Sequence, residues 1–178
     1  MYFVKYLSLL IMVSVVTIAV VTTAGAQTEL RTDRILLEVG NTRHEFGDYE
    51  GAVEAFTMAI EYNPKLGIAY NNRGISKSAM GNESGAVADY TRSIEINENY
   101  LPAYLNRAAS RYNINDYYGA IEDYGVVIEK DPENAIAWYG RGLSHVQIRY
   151  FVGACEDLNN ALDLGYDFVK DLIDEHCR

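Results

Sequence analysis

This chain has few of the residues that active-site chemistry needs. Its 178 residues include only three histidines and two cysteines. His44, His145 and His176 stand far apart with no ligand spacing, so no metal set is visible and no cofactor is indicated. There is no glycine-rich phosphate loop and no nucleophile elbow. The acidic pairs Glu122-Asp123 and Glu156-Asp157 recur at a fixed spacing, which marks them as structural. Together these absences argue against an enzyme. Basic residues are scarce too, 15 against 25 acidic, for a net charge of −10. Such a surface repels phosphate backbones and anionic membranes, so nucleic acid is not an expected partner. Long apolar runs are limited to one, Tyr6–Val21, whose 16 residues fall short of the roughly 20 that span a bilayer. No low-complexity tract and no second domain are present.

That one run has a context. Lys5 precedes it and Ala24-Gly25-Ala26 follows it, the pattern of a secretory signal peptide over residues 1–26, cleaved after Ala26. The alternative is an uncleaved anchor, which the length of the run disfavours. No cysteine lies at the cleavage point, so lipid attachment is not expected there. Cleavage leaves 152 residues from Gln27, with 14 basic and 25 acidic residues and no membrane span. That length suits one domain. Residues 27–32 read as a short linker.

From Asp33 onward the sequence repeats. Four segments, 33–66, 67–100, 101–134 and 135–168, align without gaps at a period of 34. Position 8 of each unit is small: Gly40, Gly74, Ala108, Gly142. Positions 19 and 20 are always Gly-Ala: Gly51-Ala52, Gly85-Ala86, Gly119-Ala120, Gly153-Ala154. Position 24 is large: Phe56, Tyr90, Tyr124, Leu158. The apolar and small positions 4, 8, 20, 24 and 27 recur at helical spacing within two segments per unit, a helix A and a helix B. Turn signals part them at Phe46-Gly47-Asp48, Met80-Gly81-Asn82 and Ile114-Asn115-Asp116. Pro64 and Pro132 break the chain between units, and Pro102 suits a first helical turn.

Period and columns together resemble the tetratricopeptide repeat (TPR). The resemblance implies an all-α, right-handed solenoid of four helix–turn–helix units. Residues 167–178 repeat helix A only and are polar, as a capping helix must be.

Departures from the usual TPR pattern carry information. Position 7, normally apolar, is Arg73, Arg107 and Arg141 in the last three units. Position 23 is Asp89, Asp123 and Asp157 in the same three. Both charges are absent from the first unit, which has Val39 and Ala55. The joint appearance predicts Arg73–Asp89, Arg107–Asp123 and Arg141–Asp157 pairs within each unit. Position 11 is basic or His throughout (Arg43, Lys77, Arg111, His145). The preferred partners for it are helix B acids such as Glu61, Glu95, Glu129 and Asp163. A cationic ladder for an acidic ligand is the sharper alternative.

Cys155 stands at position 21, an apolar column that faces the next helix of the stack, and Cys177 lies in that helix. Export to an oxidising compartment favours a Cys155–Cys177 disulfide over two buried thiols.

TPR arrays bind peptides on the concave face lined by helices A. The family register puts Ile68, Ile75, Leu105, Tyr112, Ile136, Tyr139 and Leu143 there as the apolar contact set. Asn41, Asn72 and Asn106 would bond a ligand's backbone or side chains. These asparagines partly resemble the clamp by which some TPR domains hold a C-terminal carboxylate. Leu37, Pro102 and Asn106 stand where its cations belong, so that clamp is rejected. The expectation is a protein–protein interaction module with a polypeptide in this groove. The alternative is a self-associating structural subunit of an envelope complex, a possible homodimer.

Overall fold

The computed structural model describes residues 25–177, so the proposed signal peptide lies almost wholly outside the described residues. Nine α-helices and one short 3₁₀ turn are seen among them, with no strand. Four hairpins stack in order: α1 (Gly25–Glu45) with α2 (Tyr49–Tyr62), α3 (Gly67–Ala79) with α4 (Glu83–Ile96), α5 (Leu101–Asn113) with α6 (Tyr117–Lys130), and α7 (Ala135–Gln147) with α8 (Phe151–Asp163). Each helix packs on the next. The first helices of successive hairpins also touch one another along one face, α1 to α3, α3 to α5 and α5 to α7. The chain ends in a 3₁₀ turn (Asp167–Val169) and α9 (Lys170–His176), both packed on α8.

One expectation fails at the N-terminal end. Residues 27–32 are helical, forming the start of α1 rather than a linker. No proline or glycine interrupts Gln27–Thr32, so nothing stops helix A from extending upstream.

Helix starts follow side-chain capping. Asp48, Asn82 and Asp116 each accept a bond from the backbone N–H three residues on, at Gly51, Gly85 and Gly119. A Cβ at those glycines would run into the capping side chain. Position 19 is glycine in these units to leave the cap its space. The turn before each cap holds a left-handed residue, Gly47, Gly81, Asn115 or Arg149. The fourth turn is the poorest of the set, with Arg149 at φ 60 and an N-cap Tyr150 that makes no side-chain bond.

The core is built from small columns and one ring per unit. Ala52, Ala86, Ala120 and Ala154 are fully buried, as are Ala69, Ala103 and Ala137. Phe56 and Tyr90 lie against Gly40 and Gly74 so closely that a Cβ there would enter the ring. The third unit has Ala108 instead of glycine. Its ring, Tyr124, leans onto Gly140 of the next unit.

Between the hairpin helices lies a buried carboxylate. Asp123 accepts from Arg107 Nε at 2.8 Å and Nη2 at 2.7 Å. Asp89 and Asp157 take the same two bonds from Arg73 and Arg141. Each aspartate also meets the position-11 side chain, with Lys77 at 2.7 Å, Arg111 at 3.0 Å and His145 at 2.9 Å. These partners are acids of the second helix, as expected, but the buried aspartates rather than the column Glu61, Glu95, Glu129 and Asp163, which is exposed. The side chain at position 11 reaches inward to the nearer, already desolvated charge. His145 Nδ1 makes this close approach without hydrogen-bond geometry. Two of the arginines also donate to the preceding hairpin, Arg73 to Thr57 and Arg107 to Thr91, both at 3.1 Å. Each arginine lies over an aromatic ring three residues earlier: Tyr70, Tyr104 and Trp138.

Removing one partner of a buried pair strands the other charge. Asp123→Asn is expected to lower the unfolding free energy by about 3 kcal/mol in urea titration. Glu122→Gln, on the exposed neighbour, should change it by less than about 0.5 kcal/mol.

Candidate functional site

The face shared by the first helices of the four hairpins is a groove with two concavities. The first has a volume of about 290 Å³ and is lined by Asn41, His44, Glu45, Phe56, Asn72 and Ile75. The second, about 210 Å³, is lined by Ala109, Tyr112, Asn113, Tyr124, Ile136, Tyr139, Gly140, Leu143 and Tyr166. The lining passes from polar at the N-terminal end to aromatic at the C-terminal end.

A chain of side-chain amides runs along the polar half. Asn106 Nδ2 donates to Asn71 at 3.0 Å, Asn71 Nδ2 to Asn72 at 3.0 Å, and Asn72 Nδ2 to Asn41 at 2.8 Å. Three hairpins are thereby linked. Asn41, Asn72 and Asn106 are therefore partly committed to one another, whereas the sequence reading gave them to a ligand alone. Asn71 is the link that reading missed. It is buried, and a buried amide must find partners within the fold. Beside this chain, Ser76 donates its single hydroxyl proton to the Asn72 carbonyl at 3.1 Å. His44 Nδ1 lies 2.9 Å from the same hydroxyl, the direction of that bond depending on the ring's tautomer.

Between the two concavities, Glu83 of α4 ties the second hairpin to the third. It accepts from Ser78, Ser110 and Asn113. The same carboxylate and deep burial push the Tyr90 phenol well above its ordinary range, burial being the larger cause.

The apolar set divides. Ile75 lines the first concavity, and Tyr112, Ile136, Tyr139 and Leu143 line the second. Ile68 and Leu105 line neither. Ile136 is 58% exposed, and Leu105 and Tyr112 are half-buried against the core around Tyr124 and Val127. Tyr124 and Tyr166 are additions that the sequence reading did not make. A signal for Tyr124 existed: only its unit combines Ala108 at position 8 with a glycine, Gly140, at position 6 of the following unit.

Tyr166 reaches the groove because the chain reverses at Gly165 (φ 88) and the terminal cap holds it. Its ring meets Tyr139 at a centroid distance of 4.9 Å. Val169, Leu172 and Ile173 of the cap pack with Leu158, Ala161 and Tyr139. Cys155 and Cys177 are disulfide-bonded, with Cα atoms 5.6 Å apart, and fasten the far end of the cap to α8. Burial pushes the Tyr124 phenol up to about 12, helped by the nearby Tyr112, Asp123 and Tyr139, and raises Tyr139 as well.

The architecture is that of a helical-hairpin repeat solenoid with a groove on its inner face. Tetratricopeptide-repeat models match residues 33–66, 68–100 and 102–134, together more than half of the chain. The chain belongs to the tetratricopeptide-repeat family. No curated protein sequence matches it. Among solved structures, MamA (residues 41 to the end) from Desulfovibrio magneticus RS-1 superposes with a TM-score of 0.72 at 19% identity, over 75% of this chain and 76% of that one. The first TPR domain of Spaghetti (RPAP3), bound to the HSP90 peptide SRMEEVD, gives 0.66 at 24% identity, over 67% and 94%. YrrB, a TPR protein with an unusual peptide-binding site, gives 0.67 at 24%, over 72% and 66%. At these identities the likeness establishes the fold. No helix among the described residues is long and apolar enough to cross a membrane.

Two outcomes follow for the C-terminal half. The disulfide joins residues separated by 22 positions, a closure that stabilises by about 3 kcal/mol in the chain-entropy model. Cys155→Ser/Cys177→Ser should therefore lower the unfolding free energy by about that amount and weaken the near-ultraviolet dichroism of the tyrosines packed under the cap. The Tyr124 phenol is held protonated by the fold to about pH 12, against an ordinary value of 10.0. Between those values the folded state binds the proton more tightly than the unfolded chain, so stability is full below about pH 10 and falls as pH rises to about 12. Tyr124→Phe should flatten that part of the stability–pH curve.

Proposed function

We propose that this protein is an exported, non-enzymatic interaction module that holds a polypeptide segment in the groove formed by α1, α3, α5 and α7. The observation that carries this is the grading of the groove: a polar amide chain at one end and half-buried Tyr112, Tyr139 and Leu143 around a concavity at the other. Apolar side chains gathered on a concave surface of an acidic protein mark a binding site. Peptide binding by the RPAP3 domain and by YrrB supports the same reading. A C-terminal carboxylate is not the anchor, because Leu37 and Pro102 put no cation at the groove positions that would grip one. Export is supported by the signal-like first 26 residues, and the Cys155–Cys177 disulfide suits an oxidising compartment.

One observation favours self-association as a second reading. Ile35 on α1 and Phe46 in the turn just after it are 56% and 86% exposed, and Val39 between them is also exposed. In later units the column of Ile35 holds Ala69, Ala103 and Ala137, each fully buried, Ala137 in a cluster with Ala108, Ala120 and Tyr124 of the preceding hairpin.

A selection from displayed random peptides, counter-screened against Leu105→Asp/Leu143→Asp, tests the first reading. Peptides that bind the wild type and weaken at least about tenfold on the variant are expected, equivalent to about 1.4 kcal/mol. Recovery of none, together with a dimer by light scattering that Val39→Lys dissociates, would transfer the assignment to self-association.

A further inference from the structure

The two concavities of the groove differ in chemistry. The first carries His44 and Glu45, whereas no charged side chain lines the second. Four tyrosines meet around the second, and two of them, Tyr139 and Tyr166, lie in contact with their rings tilted by 38°. The Tyr112 hydroxyl accepts from Gln147 Nε2 at 3.1 Å. Among the described residues, the hydroxyls of Tyr124, Tyr139 and Tyr166 have no hydrogen-bond partner. Burial keeps the first two of these phenols protonated, so they remain donors. The concavity thus offers flat apolar faces and neutral hydroxyl donors.

That combination discriminates among occupants. A charged side chain would lose its hydration there and gain no counter-charge. A helical segment has already spent its carbonyls on its own N–H groups, so the hydroxyls would stay unpaired. An ordinary extended strand brings N–H groups that need acceptors. A polyproline II segment leaves its carbonyls free, and its prolines bring no N–H and present a flat ring. Aromatic-lined grooves recognise such segments in this way, and the preformed conformation limits the entropy lost on binding. A concavity of about 210 Å³ has room for proline rings at the tyrosine faces.

We propose that the tyrosine concavity between α5, α7 and the terminal cap takes a proline-rich segment of the partner in the polyproline II conformation. Proline rings pack on Tyr139 and Tyr166, and main-chain carbonyls accept from the tyrosine hydroxyls. This rests on the groove being the peptide site and names the class of peptide.

The test is fluorescence anisotropy of the full chain with a labelled uncharged peptide of alternating proline and leucine, against a twin in which alanine replaces every proline. The proline peptide should bind about tenfold more tightly than its twin. Tyr139→Phe and Tyr166→Phe keep the packing and remove one donor, and each should weaken it about fivefold, the worth of one net hydrogen bond. Glu122→Gln, at an exposed position of α6 that lines neither concavity, should leave it unchanged. Equal affinity for the two peptides, or tighter binding of the helix-prone twin, overturns the proposal and leaves the groove reading intact. Proline-peptide binding that neither Phe variant weakens places the contact elsewhere and also overturns it. If neither peptide binds, the proposal falls, and the displayed-peptide selection decides separately whether the groove takes any peptide.

Discussion

A buried aspartate on the second helix of each later hairpin is the interaction on which the stack depends. The helices meet through alanine, glycine and serine columns, which let backbones approach but offer little side-chain relief to fix register. The carboxylate supplies it. Asp123 is gripped through two parallel bonds by Arg107 and again by Arg111, and Arg107 reaches back to Thr91 of the previous hairpin. Three helices are located by one charge. Hydrophobic residues of similar volume could give equal or greater stability, but not this directionality. The first hairpin has Val39 and Ala55 instead.

With that cluster fixing one face of the first helix in the last three hairpins, the opposite face is left to the groove, and the grading of the groove then traces to one exchange of small residues. Gly40 and Gly74 accept the ring of their own hairpin, so Phe56 and Tyr90 stay inside it. Ala108 does not, and Tyr124 leans instead onto Gly140. Gly140 occupies the column that holds Asn72 and Asn106 in the two units before. The amide chain ends there for want of a side chain, and the tyrosine concavity begins in the space released. Loss of the amide chain and gain of the tyrosine concavity are the same structural event.

How far the sequence discloses this depends on whether a feature repeats. The Arg73–Asp89 family of pairs is legible because both charges appear in three units and vanish together in the first. The small columns are legible from the 34-residue period alone. The inward turn of Lys77 and Arg111 is not, because a charged column looks the same whether it faces an exposed glutamate or a buried aspartate. The bonding among Asn41, Asn71, Asn72 and Asn106 is hidden for a related reason: it links residues about one period apart, and a period aligns them without showing which side chains touch. Glycine at position 19 is visible as a pattern, yet its cause, room for the capping side chain, emerges only in three dimensions. The helical course of residues 27–32 has no repeat behind it at all.

The terminal cap joins the end of the solenoid to its groove. In a stack held by nearest neighbours, the last hairpin is covered on one side only. Its cover is a 3₁₀ turn and a helix of seven residues, none of them buried in the helix itself. So small an element cannot hold its place by apolar burial. Val169 anchors its start, and the Cys155–Cys177 bond holds its end. Because Tyr166 lies on the segment between α8 and that cap and closes one wall of the aromatic concavity, order at the end of the stack becomes order in the groove. The covalent bond acts on the site through packing, without any of its atoms entering it.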